Sequence, residues 1–129
     1  MGFLDIFKTT TSKSSAQALP WIGLEDTAQL EVLERDAKEK VVVLFKHSTR
    51  CAVSRMALSM FQKDFDREWT GKVNLYMVDV LRARVVSRAI EKRFGVRHES
   101  PQLILLKDKQ VVLHQSHARI TARSIADFL

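Results

Sequence analysis

The chain is poor in residues that cross-link, kink or loosen a backbone: its 129 residues include one cysteine, two prolines and four glycines. A lone cysteine cannot close an internal disulfide, which is typical of proteins kept in a reducing compartment. No apolar run approaches the roughly 18 residues of a membrane span, and the opening MGFLDIFKTT lacks the basic and apolar segments of a secretory leader. We therefore expect a cytoplasmic protein that does not contact membranes.

Negative charge is also in deficit, since 21 lysines and arginines face 15 aspartates and glutamates, for a net charge of +6. Such an excess favours anionic partners. Nucleic acid would be one, but the sequence has no RNP-like aromatic segment, no paired cysteine–histidine finger and no lysine-rich tail. Arg84, Arg88 and Lys92, spaced at i, i+4 and i+8, are typical of a solvated helix face. We expect no binding to nucleic acid.

Hydrophobic patterning predicts a single α/β domain over residues 19–129, with a flexible, polar lead-in over residues 1–18. The run VVVLFK from Val41 to Lys46 is typical of a strand buried on both faces. Other strands are expected at residues 19–24, 73–80, 102–106 and 110–115. Helices are expected to begin near Asp26, after Cys51, near Arg84 and at Thr121. The helix after Cys51 is expected to run to Trp69, with Gly71 as its stop signal.

These elements follow the order β-α-β-α-β-α-β-β-α. Strand–helix–strand units form right-handed crossovers in the parallel part of a sheet, and the closing hairpin adds antiparallel strands. Helices then cover both faces of one mixed central β-sheet. The order of elements thus predicts a thioredoxin-like α/β fold.

Cys51 stands at the change from strand to helix within FKHSTRCAVSRMAL. The unpaired backbone N–H groups of a helix N-terminus favour a negative charge by about 0.3–1 kcal/mol. His47, Arg50 and Arg55 supply further donors or positive charge nearby. Because the thiolate is the nucleophilic form of cysteine, this position predicts a reactive thiol, whereas an isolated cysteine without such neighbours is more often a small core residue.

Other cysteine and metal chemistries fit the pattern less well. A phosphatase cradle, C-x5-R, needs arginine where Ala57 stands, and a peroxidatic site usually carries threonine where Ser48 stands. His114 and His117 are three residues apart at a predicted strand, so their side chains should point to opposite faces. We expect no metal site.

Ser54 lies where a C-x-x-C protein carries its second, resolving cysteine. A hydroxyl cannot close a disulfide, so a mixed disulfide on Cys51 would have to be released by another thiol. The predicted chemistry is therefore monothiol. Ser54 either donates a hydrogen bond to the Cys51 thiolate or is an ordinary residue of the first helical turn.

The stretch FKHSTRCAVS resembles the FKHSTxCxxS signature of the YtxJ-type monothiol bacilliredoxins, which are thioredoxin-like proteins linked to bacillithiol. Further matching blocks are Asp79-Val80, Arg84–Ser87, Val96–Gln102 and Ser116-His117. The resemblance extends over residues 19–129, and its most specific parts are the cysteine block and HESPQ. Ala52 departs from the pattern, because many members carry proline there; proline is pre-organised at a first helical position but not required.

The resemblance implies removal of bacillithiol from S-bacillithiolated proteins. Carried over to this chain, Cys51 attacks the mixed disulfide of a client protein and leaves with bacillithiol attached, to be reduced by a second thiol. S-thiolated client proteins are then the partners and bacillithiol is the co-substrate. Pro101 matches the cis-proline that thioredoxin-like folds place beside the active cysteine.

Bacillithiol carries carboxylates, so the resemblance also implies basic or polar contacts to it. The candidates are Lys46, His47, Arg50 and Ser100, with Arg55 and Arg97 as further cations. Each charged candidate can also be a solvated surface group, and His47 and His98 either tune the thiolate or have a structural role. The competing interpretation of the whole chain is a redox-inactive thioredoxin-like adaptor that binds partners without turnover.

Overall fold

The computed structural model describes residues 18–129, so the predicted lead-in over residues 1–18 lies outside the described part except for Ala18. The strands of the sheet are β1 (Ile22–Gly23), β2 (Val41–His47), β3 (Val73–Asp79), β4 (Gln102–Lys107) and β5 (Gln110–Ser116). The α-helices are α1 (Gln29–Asp36), α2 (Ala52–Asp64) and α3 (Arg84–Phe94). Short 3-10 helices lie at Arg67–Gly71, His117–Arg119 and Ala122–Phe128.

The sheet has the strand order β1-β3-β2-β4-β5. Strand β3 runs parallel to both β1 and β2, whereas β4 pairs antiparallel with β2 and with β5. The parallel pair β2–β3 is joined by the crossover through α2, as a right-handed strand–helix–strand unit requires. This mixed sheet confirms the predicted thioredoxin-like architecture.

Strand β2 is the centre of the core, and all seven of its residues are buried. Its side chains alternate between two apolar clusters because successive residues of a strand point to opposite faces. Val42 and Leu44 join the cluster that includes residues of α1 and α3. Val43 and Phe45 join the cluster that includes Phe61 of α2. Helices therefore cover both faces of the sheet.

The helix after Cys51 is shorter than the sequence periodicity predicts. Helix α2 ends at Asp64, the next residue, Phe65, is extended, and a separate 3-10 helix runs from Arg67 to Gly71. The break has a local cause: the side chain of Asp66 accepts a hydrogen bond from the backbone N–H of Glu68 and so starts a new turn. The spacing of Phe65 and Trp69 continues the helical pattern although the backbone does not.

Two other predicted elements differ in extent or type. Strand β1 comprises only Ile22 and Gly23 of the predicted strand 19–24. The last helix, Ala122–Phe128, is a 3-10 helix, although Thr121 does cap it by accepting a hydrogen bond from the N–H of Arg123. Both elements are short, and a short segment gives little periodicity from which to predict its extent or type.

Gly95 ends helix α3 in the left-handed conformation, with φ 68° and ψ 22°. No atom lies within 4 Å of the position that a Cβ would occupy, so a side chain there would meet strain but no clash. We expect Gly95→Ala to lower the free energy of unfolding by about 1 kcal/mol, measured by denaturant titration. Gly71→Ala is the matched control, because its Cβ would also enter open space and its φ is not in the left-handed region. Equal losses in the two variants would contradict the assignment.

Candidate functional site

Cys51 caps the N-terminus of α2, where the sequence places it. Its backbone is extended, with φ −101° and ψ 121°, and its carbonyl oxygen accepts the first hydrogen bond of the helix, from the N–H of Arg55 at 3.0 Å. A tight turn leads to it from β2, closed by the Cys51 N–H on the carbonyl oxygen of Ser48 at 3.2 Å. The residue is partly exposed, and within residues 18–129 it forms no disulfide and its sulfur has no hydrogen-bond partner. A thiol in this position is accessible to a disulfide substrate.

Ser54 connects the first turn of α2 to the end of β2 instead of contacting the sulfur of Cys51. Its Oγ accepts a hydrogen bond from the backbone N–H of Ser48 at 3.0 Å and lies 2.7 Å from Nδ1 of His47. Burial lowers the pKa of His47; Asp79 opposes this effect and Arg55 adds to it. The imidazole of His47 and the hydroxyl of Ser54 thus form a buried hydrogen bond. Of the two roles that the sequence leaves open for Ser54, a bond to the thiolate or an ordinary place in the first helical turn, the structure shows neither a contact with the sulfur nor an idle hydroxyl, since the hydroxyl is engaged by His47 and Ser48.

Lys46 is completely buried on the face of β2 opposite His47. Its Nζ donates to the carbonyl oxygen of Ser87 at 3.3 Å and lies 2.9 Å from Nδ1 of His98. Burial lowers the pKa of Lys46 to about 8, while the carboxylate of Glu91 acts in the opposite direction. A side chain held in this way cannot reach a solvent-borne ligand. Lys46, and likewise His47, which is 7% exposed, are closed to solvent in this structure, so the predicted contact of either with bacillithiol stays a prediction.

The segment between α3 and β4 is fixed by side chains from three elements. Besides the contact with Lys46, the backbone N–H of His98 donates to Oε2 of Glu91 at 2.6 Å, and Nε2 of Gln102 donates to the carbonyl oxygen of Arg97 at 2.9 Å. Partial burial, and then the Lys46 ammonium, lower the pKa of His98. His98 is therefore a structural residue of this segment, one of the two roles that the sequence leaves open.

Sequence reasoning did not single out Gln102 or Glu91. Gln102 carried a signal, because it is a polar residue that opens the otherwise apolar strand QLILL, and it is fully buried in the structure. Glu91 is one of several charged residues on α3, and nothing in its sequence neighbourhood distinguishes it from them.

The peptide bond between Ser100 and Pro101 is cis, as the resemblance implies. It lies at the same end of the sheet as the start of α2, since the next residue, Gln102, pairs with Lys46 near the end of β2. The hydroxyl oxygen of Ser100 is buried and has no hydrogen-bond partner within the described residues. A buried polar atom without a partner is rare in native proteins, so this hydroxyl is an unsatisfied polar group next to the cis bond.

The three arginines that the sequence proposes as anion contacts are exposed. Nη1 of Arg55 donates to the carbonyl oxygen of Thr49 at 2.8 Å and so braces the loop that leads to Cys51. Arg50 and Arg97 have no carboxylate partner within residues 18–129, where the one salt bridge joins Arg93 to Glu34. Arg50, next to Cys51 in the chain, keeps a guanidinium group free for an anion.

Within residues 18–129, no group of three or more histidine, cysteine, aspartate or glutamate side chains is arranged to hold a metal ion. In the same part of the chain, no helix has the length and apolar character needed to cross a membrane.

Known proteins match the chain in fold and in family. The family model described as monothiol bacilliredoxin BrxC matches residues 22–125. A solved structure described as having a thioredoxin fold, with a provisional assignment as an oxidoreductase, is 29% identical, with a TM-score of 0.70 over 83% of this chain and 91% of its own. Thioredoxins from Malassezia sympodialis and Fasciola hepatica are 23% and 19% identical, with TM-scores of 0.61 and 0.60. They cover 82% of this chain in both cases, and 84% and 93% of their own chains, and they show the fold alone.

The lowered pKa of Lys46 predicts a pH-dependent stability. Between about pH 8 and its ordinary value of 10.5, Lys46 is neutral in the folded protein but protonated in the unfolded chain. The unfolded state then binds more protons, so the stability rises with pH in this window. We expect the free energy of unfolding of the wild type, relative to Lys46→Met, to increase between about pH 7.5 and about pH 10 in denaturant titrations. A difference that stays constant over this range would show that burial does not destabilise the ammonium.

Proposed function

Because the chain belongs to the monothiol bacilliredoxin family, we propose that it is a thiol–disulfide oxidoreductase that removes bacillithiol from S-bacillithiolated client proteins. The observation that carries this proposal is the setting of Cys51, a partly exposed thiol at the start of a 13-residue helix with a buried serine at the resolving position. Such a thiol accepts a group from a disulfide and retains it until a second thiol arrives.

The proposed first step is a thiol–disulfide exchange. The Cys51 thiolate attacks the bacillithiol sulfur of the client mixed disulfide, a new S–S bond joins Cys51 to bacillithiol, and the client sulfur leaves as a thiolate that takes up a proton. In the second step, another thiolate attacks the mixed disulfide on Cys51 and restores the free cysteine. Each step breaks one S–S bond and forms another, so that no oxidant is consumed.

Ser54 occupies the resolving position but cannot form a disulfide, so the proposed reaction uses one thiol of this chain. Its hydroxyl is engaged by Ser48 N–H and His47 Nδ1, so it holds the strand end and the helix start together. In this proposal Ser54 is a positioning residue for Cys51, and His47 is its hydrogen-bond partner. Neither residue exchanges protons with the sulfur.

Ser100 and Pro101 form the proposed docking point for the disulfide. The unpaired buried hydroxyl of Ser100 offers one hydrogen bond to a bound substrate. The contacts of His98 with Lys46 and Glu91 hold this segment in place before substrate binds. Prior ordering of a binding segment reduces the entropy that is lost on association.

Replacement of Cys51 by serine tests the central claim. On reaction with an S-bacillithiolated client protein, the wild type should gain one bacillithiol, seen by intact-protein mass spectrometry, and free the client thiol. Cys51→Ser should transfer none while retaining the circular dichroism spectrum of the wild type. A wild type that carries no adduct, or a variant that still transfers, would support the adaptor interpretation instead.

A second variant tests the monothiol assignment. Ser54→Cys places a thiol three residues after Cys51, on the same helix face, so oxidation should give an internal disulfide with the loss of two hydrogen atoms and no adduct. Its stability should fall by about 1 kcal/mol, since the thiol is a weaker hydrogen-bond partner for His47 and Ser48. Val53→Cys is the matched control: its side chain is 57% exposed and two residues from Cys51, so it should form adducts and no internal bond. If oxidised Ser54→Cys carries adducts and no internal disulfide, the side chains at positions 51 and 54 do not face each other.

A further inference from the structure

The loop that leads to Cys51 borders a cleft of about 500 Å³ that is lined by three arginines. The loop before Cys51 contributes Arg50, and the turn between β3 and α3 contributes Arg82 and Arg84. All three residues are exposed, and none has a carboxylate partner within residues 18–129. Three arginines without an ion-pair partner in the described residues therefore line one cleft.

The single acidic residue in the cleft is already engaged. Oδ1 of Asp79 accepts hydrogen bonds from the backbone N–H groups of Leu81 and Arg82, at 3.0 and 3.1 Å. The same turn is closed by the N–H of Ala83 on the carbonyl oxygen of Asp79 at 2.8 Å. Asp79 therefore shapes the turn that carries Arg82 and Arg84, and the cleft keeps a net positive charge.

The N-termini of helices α2 and α3 lie at the end of the sheet where the cleft is found. Helices α2 and α3 begin after the adjacent parallel strands β2 and β3, so both starts lie at the same end of the sheet. Neither helix has a side-chain cap or an acidic residue in its first turn. Helix N-termini favour negative charge, and Arg84 at the first position of α3 is of the opposite sign. An anion bound in the cleft would offset this unfavourable arrangement.

A second groove begins at Ala52, directly after Cys51, and among the described residues that line it His117 is the single polar one. Val53, Met56 and Met60 are 57%, 67% and 57% exposed, and with Ala118 and Ile120 they line an apolar groove. The two sides of the cysteine thus differ sharply in polarity, which is the condition for binding an asymmetric disulfide in one orientation.

We propose that the Arg50–Arg82–Arg84 cleft is the subsite for the anionic, carboxylate-bearing half of the mixed disulfide. The inference rests on the proposed function and adds to it the choice between the two sulfur atoms. When the carboxylates lie in the cleft, the sulfur of the small thiol is next to Cys51 and is the one attacked, and the client sulfur leaves as a thiolate. In the opposite orientation, Cys51 would bond to the client and release bacillithiol.

The test compares Arg82→Gln/Arg84→Gln with a matched control, Lys92→Gln/Arg123→Gln, which removes the same charge at exposed positions outside the cleft. One client peptide is used in two forms, as its mixed disulfide with bacillithiol and as its mixed disulfide with uncharged 2-mercaptoethanol. The cleft variant should lose about tenfold in kcat/KM with the bacillithiol form and change by less than about twofold with the neutral form. The control should match the wild type with both.

Two further readouts separate a subsite from a structural effect. Added salt should slow the wild type with the bacillithiol form more than it slows the cleft variant, because exposed charges are screened. Mass spectrometry of early reaction products should show more client peptide on Cys51 of the cleft variant than of the wild type. Equal losses with both disulfides, or no difference from the control, would overturn the subsite while leaving the proposed function intact. A wild type that reacts with neither disulfide would overturn the proposed function itself.

Discussion

The site depends on the burial of both faces of strand β2. Seven consecutive buried residues fix its register, because a slip of one position would exchange the side chains of the two apolar clusters. Full burial of one Val, Leu or Phe side chain contributes about 1.5–3 kcal/mol, so the apolar part of β2 imposes the placement of the polar residues that end it. Lys46 must face α3, His47 must face α2, and Cys51 follows after one tight turn.

Because of this alternation, a buried polar side chain of β2 holds each of two segments, the one that carries Cys51 and the one that leads to Pro101. On one face, His47 binds the hydroxyl of Ser54 and holds the first turn of α2, which carries Cys51. On the other face, Lys46 binds His98 and holds the segment that leads to Pro101. Buried polar groups persist where they have partners. Two neighbouring residues of one strand thus position Cys51 and the segment that leads to Pro101.

Features that follow from local sequence patterns could be predicted from the sequence. Features that depend on a contact with a particular partner residue could not. The order of elements, the buried strand and the place of Cys51 follow from local patterns, and Pro101 was found through the family resemblance. The burial of Lys46 was not predicted, because lysine is almost always exposed and its partners lie 41 and 52 residues away. The end of α2 was missed because the cap at Asp66 outweighs an apolar spacing that continues to Trp69.

The charge around Cys51 is suited to an exchange that conserves charge. In the proposed reaction one thiolate enters each step and one leaves, so each step conserves net charge. Direction then comes from the orientation of the disulfide and from the second thiol. Ser54 contributes here, because without a resolving cysteine the acquired group stays on Cys51 until that thiol arrives. A positively charged cleft near a single reactive cysteine therefore favours a protein that accepts and passes on small anionic thiols. It does not favour a protein that forms an internal disulfide.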